Sequence, residues 1–266
     1  MKDYPRVLTV QDISCVGQCS LTVALPVISA MGAECCVFPT AVLSAHTGFP
    51  NPEIRQLDSP ERFWEHWLSC GVEFDCIYTG YLGNVPAVEA VRKYARRLLC
   101  PDGLLVVDPA MADGGRLYKG LDSDYAREMS ALAAEADVIL PNLTEAQMLT
   151  GLYDKTPEEL LSALPAACAV LTGAEQGEKI GVCIRVEDKL TRFFHEKLPG
   201  RYSGTGDLFA AAFTGAVSRG WSVENAAILA EKFTTRCIRA TRENPAHGYG
   251  IRFEPELAWL AARQKT

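Results

Sequence analysis

The sequence predicts an α/β fold: a three-layer α/β/α sandwich whose central sheet is mostly parallel, with an antiparallel edge and a small lid loop. Three observations predict it. Short apolar, β-rich runs alternate with helical stretches of about 10 to 15 residues, the crossover that parallel pairing requires. Three later β runs follow one another with only turn-like breaks, which suits antiparallel or mixed pairing at a sheet edge. The strands end on polar residues that would share one rim, where ligands bind in open parallel sheets.

In chain order, "RVLTV" (Arg6 to Val10) reads as a strand. "SLTVALPVISAMG" follows as a helix that ends on a Gly32 cap. "ECCVFPT" is a strand, and "SPERFWEHWLSCG" a helix with Ser59 at the N-cap and Pro60 in the first turn. "FDCIYTG" and "GLLVVDP" are strands on either side of the helix "PAVEAVRKYARRLL". A helix over 123–136 leads to the strand "DVILPN", and "TEAQMLTG" begins another helix. "CAVLTG", "IGVCIRV" and "TRFFHEK" form the edge, and "GDLFAAAFTGAVSRG", "SVENAAILAEKFTTRCIRATR" and "EPELAWLAARQ" close the chain as three helices. No repeat, low-complexity tract or linker interrupts this order, and 266 residues fit one domain over 1–266.

A composition 48% hydrophobic and 22% charged is that of a chain with a packed core. The net charge of -7, without any run of five or six basic residues, argues against nucleic acid as a partner. Arg92, Lys93, Arg96 and Arg97 fall at helical spacing and read as a solvated face. No window approaches the roughly 20 apolar residues of a membrane span, and "MKDYPRVLTVQD" lacks the apolar stretch of a signal peptide, so a cytoplasmic location is expected. The ten cysteines form no CxxC pair and mostly lie in apolar runs, so they are expected to be reduced and buried. The histidines at 46, 66, 195 and 247 are too far apart for a local zinc motif.

The rim residues are Asp12, Thr40, Thr79 with Gly80 and Tyr81, Asp108, Asn142 with Glu145, and Thr172 with Gly173. The chain has neither GxxxxGK[ST] nor a GxGxxG after the first strand, which excludes a P-loop and argues against a dinucleotide fold. "YSGTGDLFAAAF" offers another way to hold phosphate: Gly204 and Gly206 permit positive φ and close backbone approach at a helix N-terminus with free N–H groups. Asp207 there has two readings, the N-cap of the helix or a general base beside an anion hole. "VVDPAMAD" adds Asp108 and Asp113, and "LPNLTEAQ" adds Asn142 and Glu145. Capping by Asn142 or Thr144 is the plain reading of "NLTE". Carboxylates beside a phosphate also suit a hard divalent cation such as Mg²⁺, which takes oxygen ligands, water and phosphate together.

"SGTGDLFAAAF", "VVDPAMAD", "LPNLTEAQMLTG", "TGYLG" and "PTAVLSAHTGF" together resemble the ribokinase-like kinases and, within them, the pyridoxal (vitamin B6) kinases. The resemblance runs from Val7 to about Arg239, with the motifs in the family's order. It implies ATP-dependent phosphorylation of the 5'-hydroxymethyl group of pyridoxal, pyridoxamine or pyridoxine, with Mg²⁺, an open role for a monovalent cation, and a homodimer. By resemblance, Asp207 would deprotonate the hydroxymethyl group while the Gly204, Thr205 and Gly206 backbone holds the moving phosphoryl group. Asp113 and Glu145 would be metal-associated, directly or through water. Asp108, Asn142, Glu145, Thr172, Gly173 and Leu198 to Gly200 would face the nucleotide, and Tyr118 would approach the phosphates. The vitamin would meet Thr47 and Tyr81, with His46 in a flap over 45–52; for His46, packing of that loop is an equal reading.

One departure stands out. Pyridoxal kinases commonly carry "QSH" after the first strand, and this chain has Gln11, Asp12 and Ile13. Asp12 would face the ring nitrogen or the amine of pyridoxamine, or would only cap the turn before Cys15 to Ser20. The departure leaves room for hydroxymethylpyrimidine kinase of thiamine biosynthesis as the alternative function. A sugar or nucleoside kinase fits less well because the chain has little room for a large lid. A catalytically silent binding protein would have no need of Asp207, Asp113 and Glu145.

Overall fold

The structure is a computed structural model that describes residues 4–57, 60–200, 202–244 and 248–264. Ser59, expected as an N-cap, and His247 lie outside the described residues.

β1 (Arg6–Ser14), β2 (Glu34–Leu43), β4 (Phe74–Thr79), β5 (Leu99–Val107), β8 (Val138–Ile139) and β9 (Cys168–Gln176) lie parallel in the order β9, β8, β5, β4, β1, β2. β10 (Lys179–Val186) and β11 (Lys189–Glu196) extend the β9 side antiparallel, as the closely spaced runs predict. The short β3 (Ile54–Gln56) pairs antiparallel with the end of β2 at the other edge, completing nine strands. A separate two-stranded hairpin pairs β6 (Ala112–Asp113) with β7 (Arg116–Leu117). Neither β3 nor the hairpin is expected from sequence, because two or three residues carry no readable alternation.

The central strands bury both faces, so their residues divide by the period of two between two cores. On one face, Leu8, Val10, Ile77, Leu105 and Val107 pack against α2 (Glu61–Ser69), α3 (Val85–Leu98), α4 (Ser123–Glu135), α5 (Leu143–Thr150) and α6 (Pro157–Ala163). On the other, Val7, Cys76, Tyr78, Val106 and Val170 meet α1 (Leu21–Ala30), α7 (Thr205–Ser218), α8 (Val223–Arg242) and α9 (Leu257–Ala261). α7 buries ten consecutive residues, Leu208 to Val217, which explains its uniformly apolar continuation.

Most helix ends follow the sequence. Gly32 (φ +82) stands one residue past Met31 at the end of α1, Asn84 caps α3, and Ser222 caps α8. "EPELAWLAARQ" gives a single 3₁₀ turn and the five-residue α9 in place of a full helix. In the basic stripe of α3, Arg92 reaches Glu128 and Glu135 on α4 and Arg96 reaches Asp137, while Lys93 and Arg97, both exposed, lie over the Tyr94 ring. Among the described residues, which include all ten cysteines, no disulfide forms; Cys76, Cys183 and Cys237 are buried, but Cys15 and Cys70 are exposed. No described helix is long and apolar enough to cross a membrane.

Candidate active site

The parallel strands place the expected polar residues at one rim. Asp12 lies on β1, Thr40 on β2 with its hydroxyl 3.1 Å from the Tyr81 carbonyl, and Thr79 ends β4. Asp108 follows β5, and Asn142 after β8 bridges Thr172 on β9 in parallel register.

α7 begins at this rim. Gly204 has φ +84, and a Cβ there would stand 2.2 Å from the Gln18 carbonyl oxygen, so both conformation and space require glycine. Gly206 has no such demand: its φ is ordinary, and a Cβ would meet nothing within 4 Å. Open space therefore lies beside the first turn, where helix N–H groups are unpaired. Asp207 is the third residue of the helix, and α7 has no side-chain cap. The capping reading of Asp207 therefore fails, and its half-buried carboxyl is left for other work. Burial pushes it up to about 6; the Ser20 backbone N–H opposes the rise, and the charge of Asp12 adds to it.

Two further carboxyls are buried nearby. Asp108 accepts one N–H, from Ala110 at 3.1 Å, and is held well above the usual carboxylate range by burial, then by Glu145 and Asp207. Glu145 accepts from Met111 (2.9 Å), Ala112 (3.3 Å) and Asn142 (3.0 Å). Burial still pushes it up to about 7 against those three donors. The Asn142 side-chain oxygen takes the Glu145 N–H in a reciprocal capping box, and its amide nitrogen donates to the Ala112 carbonyl at 2.7 Å. Asn142 thus has the capping role weighed for "NLTE", and Glu145 also pins the β6–β7 hairpin. Asp113 sits exposed on that hairpin and accepts from Gly114 at 2.7 Å. The half-exposed Tyr118 faces the cluster: burial, then Glu145, Asp108, Asp113 and Asp207, all raise its phenol.

The donor chemistry suits a hard cation, since buried carboxyls that repel one another are stabilised by one. Among the described residues no three His, Cys, Asp or Glu side chains converge as a direct ligand set. Carboxyls so placed would hold Mg²⁺ largely through water and phosphate oxygens.

The vitamin-side residues divide. Asp12 is buried, with Oδ2 accepting from the Ser14 hydroxyl at 2.8 Å and Oδ1 from the Ser20 hydroxyl at 2.5 Å. Burial raises it against both donors. Tyr81 is half-buried near Asp12, whose charge adds to burial in raising its phenol. Thr47 is exposed in the flap. His46 is buried, and its Nδ1 accepts from Gly48 N–H at 2.9 Å, so Nε2 carries the proton and donates to the Tyr249 carbonyl at 2.8 Å. Both nitrogens are engaged and Phe49 stands edge-on at 5.0 Å, contacts that suit the packing reading of His46. On the nucleotide side, a Cβ on Gly173 (φ +65) would meet nothing within 4 Å, while one on Gly200 (φ +112) would strike Tyr202; Leu198 is half-buried in the same loop.

Sequence reasoning missed Ser14 and Ser20. Their only signal was the pair of serines two and eight residues after Asp12.

The sequence profile of the phosphomethylpyrimidine kinase family matches residues 27–252. The chain belongs to that family. Among solved structures, this family member superposes on pyridoxal kinase from Lactobacillus plantarum with a TM-score of 0.90, at 34% identity over 97% of each chain. It also superposes on a Bacteroides thetaiotaomicron protein crystallised with pyridoxal, with a TM-score of 0.89, at 34% identity over 96% of this chain and 95% of that one. The pyridoxine/pyridoxal/pyridoxamine kinase of Bordetella bronchiseptica is 27% identical over 260 residues, 89% of each chain.

Proposed function

We propose that this protein transfers the γ-phosphoryl group of ATP to the 5'-hydroxymethyl group of a B6 vitamer: pyridoxal, pyridoxine or pyridoxamine. The observation that carries the reading is Asp207, a carboxyl in the first turn of α7 that caps nothing, beside open space and unpaired helix N–H groups. A base raised to about 6 is ionised at neutral pH yet retains proton affinity. Asp207 would take the hydroxymethyl proton as the oxygen attacks, while the Gly204, Thr205 and Gly206 backbone stabilises charge on the moving phosphoryl group. Asp12 and Tyr81 would hold the ring, and the flap with Thr47 would exclude water.

Asp108, Thr172, Gly173 and Leu198 would line the nucleotide side, where Asn142 and Glu145 act by shaping the loop. When bound beside Asp113 and Glu145, Mg²⁺ supplies charge neutralisation on the phosphates. A single kinase domain, working as a homodimer in the cytoplasm, completes the reading. Support for the substrate comes from relatives named for pyridoxal and from the one crystallised with it.

The match to the phosphomethylpyrimidine kinase profile favours one second reading, phosphorylation of hydroxymethylpyrimidine. Incubation with ATP and Mg²⁺ and each of the four candidate alcohols separates the two. Phosphorylated product is expected with the vitamers; product with the pyrimidine alone would reverse the assignment.

A further inference from the structure

The loop joining β1 to α1 is held in an uncommon backbone state. Gly17 has φ +117, Gln18 φ +48 and Ser20 φ +54 with ψ -131, a combination that residues with side chains rarely adopt. Its surroundings leave it little freedom. The Gln18 carbonyl abuts Gly204, the Gly17 carbonyl abuts Gly250, and the His46 ring lies over Gly17. The Gln18 side chain donates to Glu254 at 2.5 Å.

Ser20 stands at the N-cap of α1, where a serine hydroxyl ordinarily accepts a helix N–H. Here it makes no cap. The hydroxyl goes instead to Asp12 Oδ1 at 2.5 Å, and the loop that carries it lies against Gly204, at the start of the helix that bears Asp207. A strained residue that forgoes its cap to hold a buried carboxyl, in a loop packed against the start of α7, has a use beyond entering a helix.

We propose that Ser20 is a positioning residue that fixes Asp207, the base, and Asp12, the ring-facing acid, relative to one another. The inference rests on the reading of Asp207 as the base. The ligand class that suits it is a heteroaromatic alcohol with a ring nitrogen or amine at one end and a hydroxymethyl group at the other. Such a molecule would be aligned for transfer by contacts at both ends. The ionisable groups facing Asp207 are Asp12, Asp108, the Cys19 thiol and the phenols of Tyr78 and Tyr118; those facing Asp12 are His46, Cys19, Tyr81 and Asp207.

Ser20→Gly and Ser20→Ala test the proposal. Both remove the hydroxyl, and glycine also accepts positive φ without strain. Ser20→Gly is expected to keep or raise Tm while lowering kcat/KM for the vitamer at least about tenfold, with KM for ATP unchanged. In an Asp12→Asn background the same substitution is expected to cost much less. Wild-type kcat and KM in both variants, with Asp207→Asn inactive, would leave Ser20 a purely structural residue and overturn the proposal. If the wild-type protein phosphorylates no vitamer, the assigned reaction fails and the positioning role is decided by carboxyl ¹³C titration without substrate. Ser20→Gly must then shift Asp12 and Asp207 together; a shift confined to Asp12 overturns it.

Discussion

The Ser20 hydroxyl and the Asp12 carboxyl meet at 2.5 Å across eight residues of chain, and both are buried. This contact ties the acid on β1 to the loop that lies against Gly204, at the entrance of α7. The carboxyl on β1 and the entrance of α7 are thus linked through one loop.

Asp207→Asn preserves shape and removes the base. We expect kcat to fall by about 10² to 10⁴ with KM for ATP unchanged, a general base acting only in the transition state. Steady-state kinetics with varied ATP and vitamer check it.

The pH dependence follows from the raised pKa of Asp207. The ionised form is the active one, so kcat/KM should fall on the acid side with a midpoint near the value of about 6. The same shift bears on stability with the opposite sense. The folded state holds this proton more tightly than the unfolded state, so the contribution declines as pH rises from the ordinary value of 3.8 through about 6. Asp207→Asn should therefore raise stability at pH 8, by about 1 to 2 kcal/mol after allowance for partial exposure. Denaturant unfolding of both proteins at pH 5 and pH 8 measures the difference.

Gly204→Ala and Gly206→Ala should separate folding from binding. The first forces a side chain into φ +84 and against the Gln18 carbonyl, and should cost about 2 kcal/mol or more in stability. The second meets no protein atom, and should leave Tm unchanged while raising KM for ATP severalfold, because the methyl group enters space meant for the phosphates. Thermal melts and ATP kinetics on the two variants check it.

His195 on β11 faces acceptors on both nitrogens, the Glu231 carboxylate at 2.7 Å and the Glu196 carbonyl at 2.9 Å. That arrangement favours the imidazolium, and the bond to Glu231 raises its pKa. The stabilisation is fully present below the ordinary imidazole value of 6.5 and is lost as pH rises through the higher folded value. His195→Gln should cost about 1 kcal/mol at pH 6 and little at pH 9, read from unfolding curves at the two pH values.

The layers, the parallel core of the sheet and its β9–β11 edge were legible because long elements bury whole faces and leave a period in the sequence. β3, the β6–β7 hairpin and α6 were not, being too short to leave one. The rim was legible too, since parallel strands must end together. What each rim residue does there was less so. Asp207 as cap and Asp207 as base differ by where α7 begins, within a few residues, and sequence does not fix a helix start that closely. "NLTE" was readable as helix capping by Asn142 or Thr144, but the bonds that Glu145 accepts from Met111 and Ala112 depend on a hairpin no pattern announced. Ser20 looked like the ordinary start of a helix, and only its backbone angles and the direction of its hydroxyl reveal the link to Asp12.

The most direct measurement is ³¹P NMR of the product formed from ATP, Mg²⁺ and pyridoxamine. A phosphate monoester whose phosphorus couples to the 5'-methylene protons is expected from the wild-type protein and not from Asp207→Asn. Phosphate on another position, or equal product from the variant, would contradict this expectation.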